Sequence, residues 1–230
     1  MKKLLLIVLA TLSLLALELP TTIKTTIQAV NKDGIQLSKS VQKGMSGIVV
    51  HEYGNGLSAI TYSVISQGGN KALLKPYNIL SHGKLPNIKT EAKKGDIVIF
   101  GNYYNNALLI APNGRSYREI TQSIKRSWIH PDTYAMHLIN NDEIHLTPDN
   151  IKAFAQNAQV GLVLIATRDS IVALDPISGA VLSKNPITLN NQNAQSPFYA
   201  RFEQIDTDIF SSSDTKEFEE YYKGIERLIK

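Results

Sequence analysis

The spacing of apolar residues changes near Gly101, and this change constrains the fold more than any other feature of the sequence. Between residues 21 and 100, short runs of β-branched and aromatic residues are separated by glycine, asparagine and aspartate, as in the two runs that flank "NKDG". Such runs at intervals of about 8–12 residues are typical of a small β-barrel or sandwich. We therefore predict a β-rich domain over residues 21–100.

Strand-like and helix-like patterns alternate after Gly101. The runs "NALLIAP", "TYAMHLI", "GLVLIAT" and "SIVALDP" have strand character, and "ISGAVLSK" is a further candidate. Residues 115–126 carry apolar side chains at helical spacing. A second helix is predicted from Thr147 as N-cap, with Pro148 at the first helical position. This alternation predicts an α/β domain with a mixed sheet over residues 101–185.

The last part of the sequence is predicted to be a connection followed by a helix. Residues 186–213 are polar and favour a loop or linker with a short helical turn. Residues 214–230 favour an amphipathic helix that runs to the last residue. Its apolar face comprises Phe218, Tyr221, Tyr222, Ile225, Leu228 and Ile229. The predicted fold class is α+β: a small antiparallel β-barrel or sandwich-like domain, then an α/β domain with a mixed sheet, then a C-terminal amphipathic helix.

The first residues have the pattern of a secretory signal peptide. "MKK" precedes an uncharged run from Leu4 to Leu17, which is shorter than the roughly 20 residues of a membrane-spanning helix. We predict a signal peptide over residues 1–16 with cleavage after Ala16; an uncleaved N-terminal anchor is the alternative. The mature chain is expected to have no stable transmembrane span. It would be exported to the periplasm or to the cell surface, in association with the outer membrane.

Charge and cysteine content exclude two classes of protein. The formal net charge of +4 falls to +2 when Lys2 and Lys3 are removed with the signal peptide. A chain this close to neutral does not indicate nucleic-acid binding, which needs a concentrated basic surface. The sequence contains no cysteine, so it is not a disulfide scaffold.

Motifs that would indicate an enzyme are weak. "GNGLSA" at 54–59 matches a dinucleotide-loop pattern but precedes a strand-like run, which favours a hairpin turn. Ser46 lies between glycines in "GMSG", as in a turn, and lacks the spacing of a nucleophile elbow. His130, Asp132, His137 and His145 are close in sequence but lack the spacing of a zinc site, and His137 is expected in a strand. We predict no catalytic residue, no cofactor and no metal.

Several segments resemble a known family. The segments that carry the resemblance occur in the order "KKGDIVIFGNYYNNALLIAPNGRSY", "GLVLIAT", "SPFYARFEQIDTDIF" and "EYYKGIERLIK". They resemble the N-terminal domain of the plasminogen-binding surface proteins of epsilon-class proteobacteria, over roughly residues 20–223. The resemblance implies a non-enzymatic surface protein that captures host plasminogen. Members of that family continue into a long charged tail that ends in lysine, whereas this sequence ends at its amphipathic helix.

The resemblance also implies which residues bind. Plasminogen kringles recognise lysine, particularly a C-terminal lysine, and Lys230 is the residue of this sequence that matches that role. Lys223 and Arg227 are lesser basic neighbours. Two alternatives remain open. One is a periplasmic structural or assembly module that docks other envelope proteins, in which Lys230 has no special role; the other is an exported hydrolase without a recognisable motif.

Overall fold

The computed structural model describes residues 18–77, 90–143, 145–189, 194–201, 215–226 and 228–229. Within these residues the chain forms two layers of β-structure and four helices. None of the described helices is long and apolar enough to cross a membrane. The predicted signal peptide lies outside the described residues.

Six antiparallel strands form a closed barrel in the order β1-β2-β5-β4-β3-β6. Inward-facing residues such as Ile27, Val49 and Val98 are fully buried, because alternate side chains of a strand point to the barrel interior. The "NKDG" turn joins the first two strands, as predicted. The strands are β1 (Ile23–Asn31), β2 (Gly34–Leu37), β3 (Ser46–Gly54), β4 (Leu57–Gly68), β5 (Lys71–Pro76) and β6 (Ile97–Phe100).

A second, five-stranded sheet has the order β11-β10-β9-β7-β8. β7 pairs in parallel with both β8 and β9, whereas β9, β10 and β11 pair in antiparallel fashion, so the sheet is mixed. The strands are β7 (Asn106–Ile110), β8 (Ser127–Ile129), β9 (Leu162–Ala166), β10 (Ser170–Leu174) and β11 (Val181–Pro186). The predicted α+β class, with a barrel and a mixed sheet, is confirmed.

Four helices accompany this sheet: α1 (Gly114–Ser123), α2 (Pro131–Asn140), α3 (Pro148–Ala158) and α4 (Thr215–Glu226). α3 begins as predicted. The Thr147 hydroxyl accepts a hydrogen bond from the Asn150 amide at 3.2 Å, while the Asn150 side chain accepts one from the Thr147 amide at 3.0 Å. This reciprocal pair is a capping box with asparagine in the position usually held by glutamate or glutamine.

Residues 133–139, "TYAMHLI", were predicted as a strand and are part of helix α2. Tyr134, Met136 and Leu138 alternate as in a strand. In the structure, however, Tyr134 and Leu138 are buried one helical turn apart, and Met136 is exposed. His130 caps the helix and Pro131 occupies its first turn, so the local start signals outweigh the alternation. The expectation of His137 in a strand is therefore wrong. The strand in this region is β8, which the sequence did not indicate.

The central strands bury both faces. Side chains of Leu109, Leu164 and Ala173 point toward the barrel and join its core. The alternate residues Leu108, Val163 and Val172 point the other way and pack against α2, α3 and α4. All five residues of β9 and of β10 are buried, which explains their continuous apolar composition.

Asp175, directly after β10, fastens the sheet to the barrel. Its Oδ2 atom accepts hydrogen bonds from the Ser46 amide (2.8 Å), the Ser46 hydroxyl (2.7 Å) and the Tyr104 hydroxyl (2.7 Å). Its Oδ1 atom accepts from the amides of Ile177 and Ser178 at 2.9 and 3.0 Å. Burial and the neighbouring carboxylate of Asp175 raise the pKa of Tyr104, so the phenol keeps its proton and donates. Ser46 was predicted in a turn; it is instead the first residue of β3 and binds this carboxylate.

Two glycines permit close approach of neighbouring backbone segments. A Cβ atom on Gly47 would lie 2.3 Å from the carbonyl oxygen of Ile99, and one on Gly161 would lie 2.2 Å from the carbonyl carbon of Tyr103. Neither contact is compatible with a side chain at the glycine. β3 therefore lies tightly against β6, and the turn before β9 against residues 103–104.

Replacement of Asp175 is expected to weaken the whole fold. Asp175→Asn replaces one carboxylate oxygen with an amide group, which faces hydrogen-bond donors and cannot accept from them. Because these groups are buried, we expect a loss of about 3 kcal/mol in the free energy of unfolding. Urea denaturation at neutral pH measures the loss. Asp33→Asn, in the exposed β1–β2 turn, is the matched control. Equal stability of the two variants would contradict the fastening role of Asp175.

Candidate functional site

The C-terminal helix α4 is attached to the sheet by two adjacent tyrosines. Tyr221 and Tyr222 are 1% and 2% exposed. The Tyr221 hydroxyl lies 2.8 Å from the carbonyl oxygen of Ala166 and 3.3 Å from that of Ile110, and it donates to them. Burial raises the pKa of Tyr221, which keeps the hydroxyl protonated. The helix is thus fixed to the carboxyl ends of two parallel strands, β7 and β9.

An arginine covers the second tyrosine. The guanidinium carbon of Arg168, in the turn between β9 and β10, lies 4.4 Å from the ring centroid of Tyr222. This distance is typical of a cation–π contact. The sequence did not indicate the pairing, because the two residues are far apart in the chain and neither belongs to a local motif. Arg168 contributes to the attachment of α4, although it is itself exposed to solvent.

The end of α4 and the described residues after it remain close to the body of the protein. Ile225 and Leu228 are buried, Ile229 packs against the same core, and the Leu228 amide donates to the carbonyl oxygen of Ile225 at 2.9 Å. The predicted apolar face is therefore confirmed for the residues whose side chains are described. The expectation that the helix runs to the last residue is wrong, since it ends at Glu226 and Leu228 lies in a turn.

The three predicted binding residues differ in what the structure describes. Lys223 is exposed in the last turn of α4, on the side opposite the tyrosine contacts. Arg227 and Lys230 lie outside the described residues. Of the predicted site, the structure therefore describes only Lys223. Close to it in the chain, Ile225, Leu228 and Ile229 pack against the core.

Two of the three histidines considered as metal ligands have other partners. His130 caps α2, and its Nδ1 atom lies 3.1 Å from an oxygen of Asp132. His137, in the same helix, packs against the rings of Tyr134 and Phe154. Among the described residues, no group of three histidine, cysteine, aspartate or glutamate side chains is arranged to hold a metal ion.

Asp132 instead holds the segment 194–201 against α2. Its two oxygens accept hydrogen bonds from the amide (2.8 Å) and the guanidinium group (2.7 Å) of Arg201. Burial alone would raise the pKa of Asp132, but these hydrogen bonds and the neighbouring His130 hold it below the ordinary value. Partial burial lowers the pKa of His130. The "SPFYAR" segment is thereby docked, with Phe198 and Ala200 buried, although it has no regular secondary structure.

The "GNGLSA" segment is a hairpin turn, as predicted. β3 ends at Gly54 and β4 begins at Leu57, and these two residues are paired. Asn55 and Gly56 both have positive φ angles, 52° and 76°, as in the tight turns that join antiparallel strands. This described turn leads into a strand and not into a helix whose N-terminal amides could bind a phosphate. The segment therefore does not form a dinucleotide loop.

Comparison with known proteins supports the resemblance found in the sequence. The family described as "Plasminogen-binding protein pgbA N-terminal" matches residues 22–225. Two curated relatives are both called plasminogen-binding protein PgbA. The protein from Helicobacter pylori strain J99 is 28% identical over 174 residues, covering 73% of this chain and 38% of the relative. The protein from strain 26695 is 27% identical over 194 residues, covering 80% and 42%.

The chain spans about two fifths of the length of these two relatives. No solved structure matches it. The family match begins just before β1 and ends at Ile225, within α4, so it includes the barrel, the mixed sheet and the attached helix. On this match, the chain belongs to the family defined by the N-terminal region of plasminogen-binding protein PgbA.

Proposed function

We propose that this chain is an exported, non-enzymatic envelope or surface protein that binds host plasminogen through lysine, chiefly Lys230. The observation that carries the proposal is the family match over residues 22–225, together with two relatives whose name states plasminogen binding. The same name favours a binding role over catalysis.

Lysine is a suitable ligand for a kringle because it combines a cation with a long apolar stem. A kringle pocket offers anionic and cationic centres across an aromatic trough. A terminal lysine meets these centres with its ammonium group and its carboxylate, through charge-assisted contacts. The aromatic trough contacts the stem and the ammonium group. One residue can therefore contribute a large part of a weak or moderate affinity.

The attachment of α4 leaves Lys223 accessible at this end of the protein. Tyr221, Tyr222 and Ile225 turn the apolar face of the helix toward the sheet. Lys223 consequently lies on the exposed side. In the proposal, Lys223 and Arg227 increase the positive potential near Lys230 and assist the approach of an anionic kringle pocket.

Removal of Lys230 is expected to weaken plasminogen binding by about tenfold or more, because charge-assisted contacts at the ammonium group are lost. Surface plasmon resonance with immobilised plasminogen measures the change. The lysine analogue ε-aminocaproate should compete with the intact chain. Lys71→Ala, which alters an exposed lysine of β5, is the matched control.

A single alanine added after Lys230 distinguishes recognition of the ammonium group from recognition of the terminal carboxylate. It preserves the lysine side chain but moves the terminal carboxylate, so recognition of both groups predicts weaker binding. Unchanged affinity after deletion of Lys230 would contradict the proposed role of this residue. A larger loss of affinity in Lys223→Ala than in the chain lacking Lys230 would assign the main contact to the helix instead.

The proposal also requires export. We propose that residues 1–16 are removed as a signal peptide and that the mature chain reaches the cell surface. Protease treatment of intact cells should then degrade the chain while a cytoplasmic marker survives. If the chain persists until the outer membrane is permeabilised, it is periplasmic, and capture of plasminogen by intact cells is excluded. Mass spectrometry of the mature N-terminus checks the cleavage site.

A further inference from the structure

A groove separates the outer side of the barrel from helix α3. Its walls are formed by β3, β4 and β5 on one side, and by α3 and residues 102–104 on the other. Its volume is about 600 Å³. Sites for small molecules generally have volumes of about 300–1,000 Å³ and occur preferentially where two structural units meet. The groove has the size and position of such a site.

The floor of the groove is apolar. Ile48, Ile60 and Ile65 point outward from the barrel, where strand residues normally face water and are polar. All three are half-buried. Ala155 and Val160 line the opposite side, and each is 2% exposed. The three isoleucines form an apolar strip, interrupted by Ser63, along which the body of a ligand can lie.

Two lysines lie along the groove. Lys75 is an exposed residue of β5, and Lys152 is a half-buried residue of α3. The described residues that line the groove include no aspartate or glutamate. Neither lysine forms an ion pair with any described carboxylate. The groove is therefore positively charged and complementary to an anion.

The shape of the groove is fixed before a ligand binds. Gly161 allows residues 103–104 to contact the turn that follows α3, where a Cβ atom would meet backbone. Asp175 fixes Tyr104 and Ser46, which both line the groove, through hydrogen bonds of 2.7–2.8 Å. Tyr77 and Tyr103 lie near each other at the side of the groove. The pKa of Tyr77 is raised, mainly by burial and to a smaller extent by Tyr103. A preformed site loses less conformational entropy when it binds.

We propose that this groove binds an anionic amphiphile of the fatty-acid class. Its carboxylate would lie between Lys75 and Lys152, and its aliphatic chain would lie along the three isoleucines. The site uses none of the residues proposed to bind plasminogen, so it is a separate activity. The charge of the lysines selects the head group, and the apolar floor selects the chain.

Titration calorimetry with dodecanoate, below its critical micelle concentration, tests the proposal on the mature chain. Dodecanoate is expected to bind with one-to-one stoichiometry, whereas dodecyltrimethylammonium, which has the same chain and the opposite charge, is not. The double variant Lys75→Gln/Lys152→Gln should bind dodecanoate about tenfold more weakly. Lys24→Gln/Lys71→Gln removes two exposed lysines outside the groove and should bind like the unaltered chain.

A second pair of variants tests the apolar floor. Ile60→Glu introduces a negative charge into the groove and should abolish dodecanoate binding. Val30→Glu makes the same type of change on a residue of β1 that is 48% exposed and lies outside the groove; binding should be retained. Circular dichroism verifies that each variant is folded. Equal binding of the anionic and cationic amphiphiles, or equal affinity of the two lysine double variants, would overturn the proposal.

Discussion

Both faces of the central sheet are buried, and each is covered by a different layer. Strands β7, β9 and β10 are apolar on both sides, so neither face can be left in water. The barrel covers one face, and helices α2, α3 and α4 cover the other. The barrel and the helical layer are thus not independent modules joined by a linker. Asp175 also fixes how the barrel is oriented on the sheet. Its hydrogen bonds form only when β3 and Tyr104 are correctly placed.

Local patterns predicted much of the fold. The barrel strands follow from runs of β-branched residues between turn residues, and α3 follows from Thr147 and Pro148. The error at "TYAMHLI" has a physical cause, because the residues alternate like a strand while the decisive signals, His130 and Pro131, precede them. The role of Ser46 could not be predicted either. Its partner, Asp175, is 129 positions away, and no local pattern indicates which turn serine meets a distant carboxylate.

The candidate sites were predictable to different degrees. The apolar face of α4 follows from helical spacing, and the family was indicated by ordered segments that include "SPFYAR". The docking of that segment by Asp132 and Arg201 depends on tertiary structure. The same holds for the groove: Lys75 and Lys152 belong to different layers, and each appears in the sequence as an ordinary surface lysine. Only the folded chain brings them to one groove.

The Tyr221 hydroxyl has a consequence for the extent of this domain. It contacts the carbonyl groups of Ile110 and Ala166, which are the last residues of two strands that lie side by side. A chain that stopped before α4 would leave these two contacts unmade and would expose part of the apolar cluster to which Tyr221, Tyr222 and Ile225 belong. An exposed face of this kind promotes association between molecules. The helix therefore belongs to the same folding unit as the sheet that it covers.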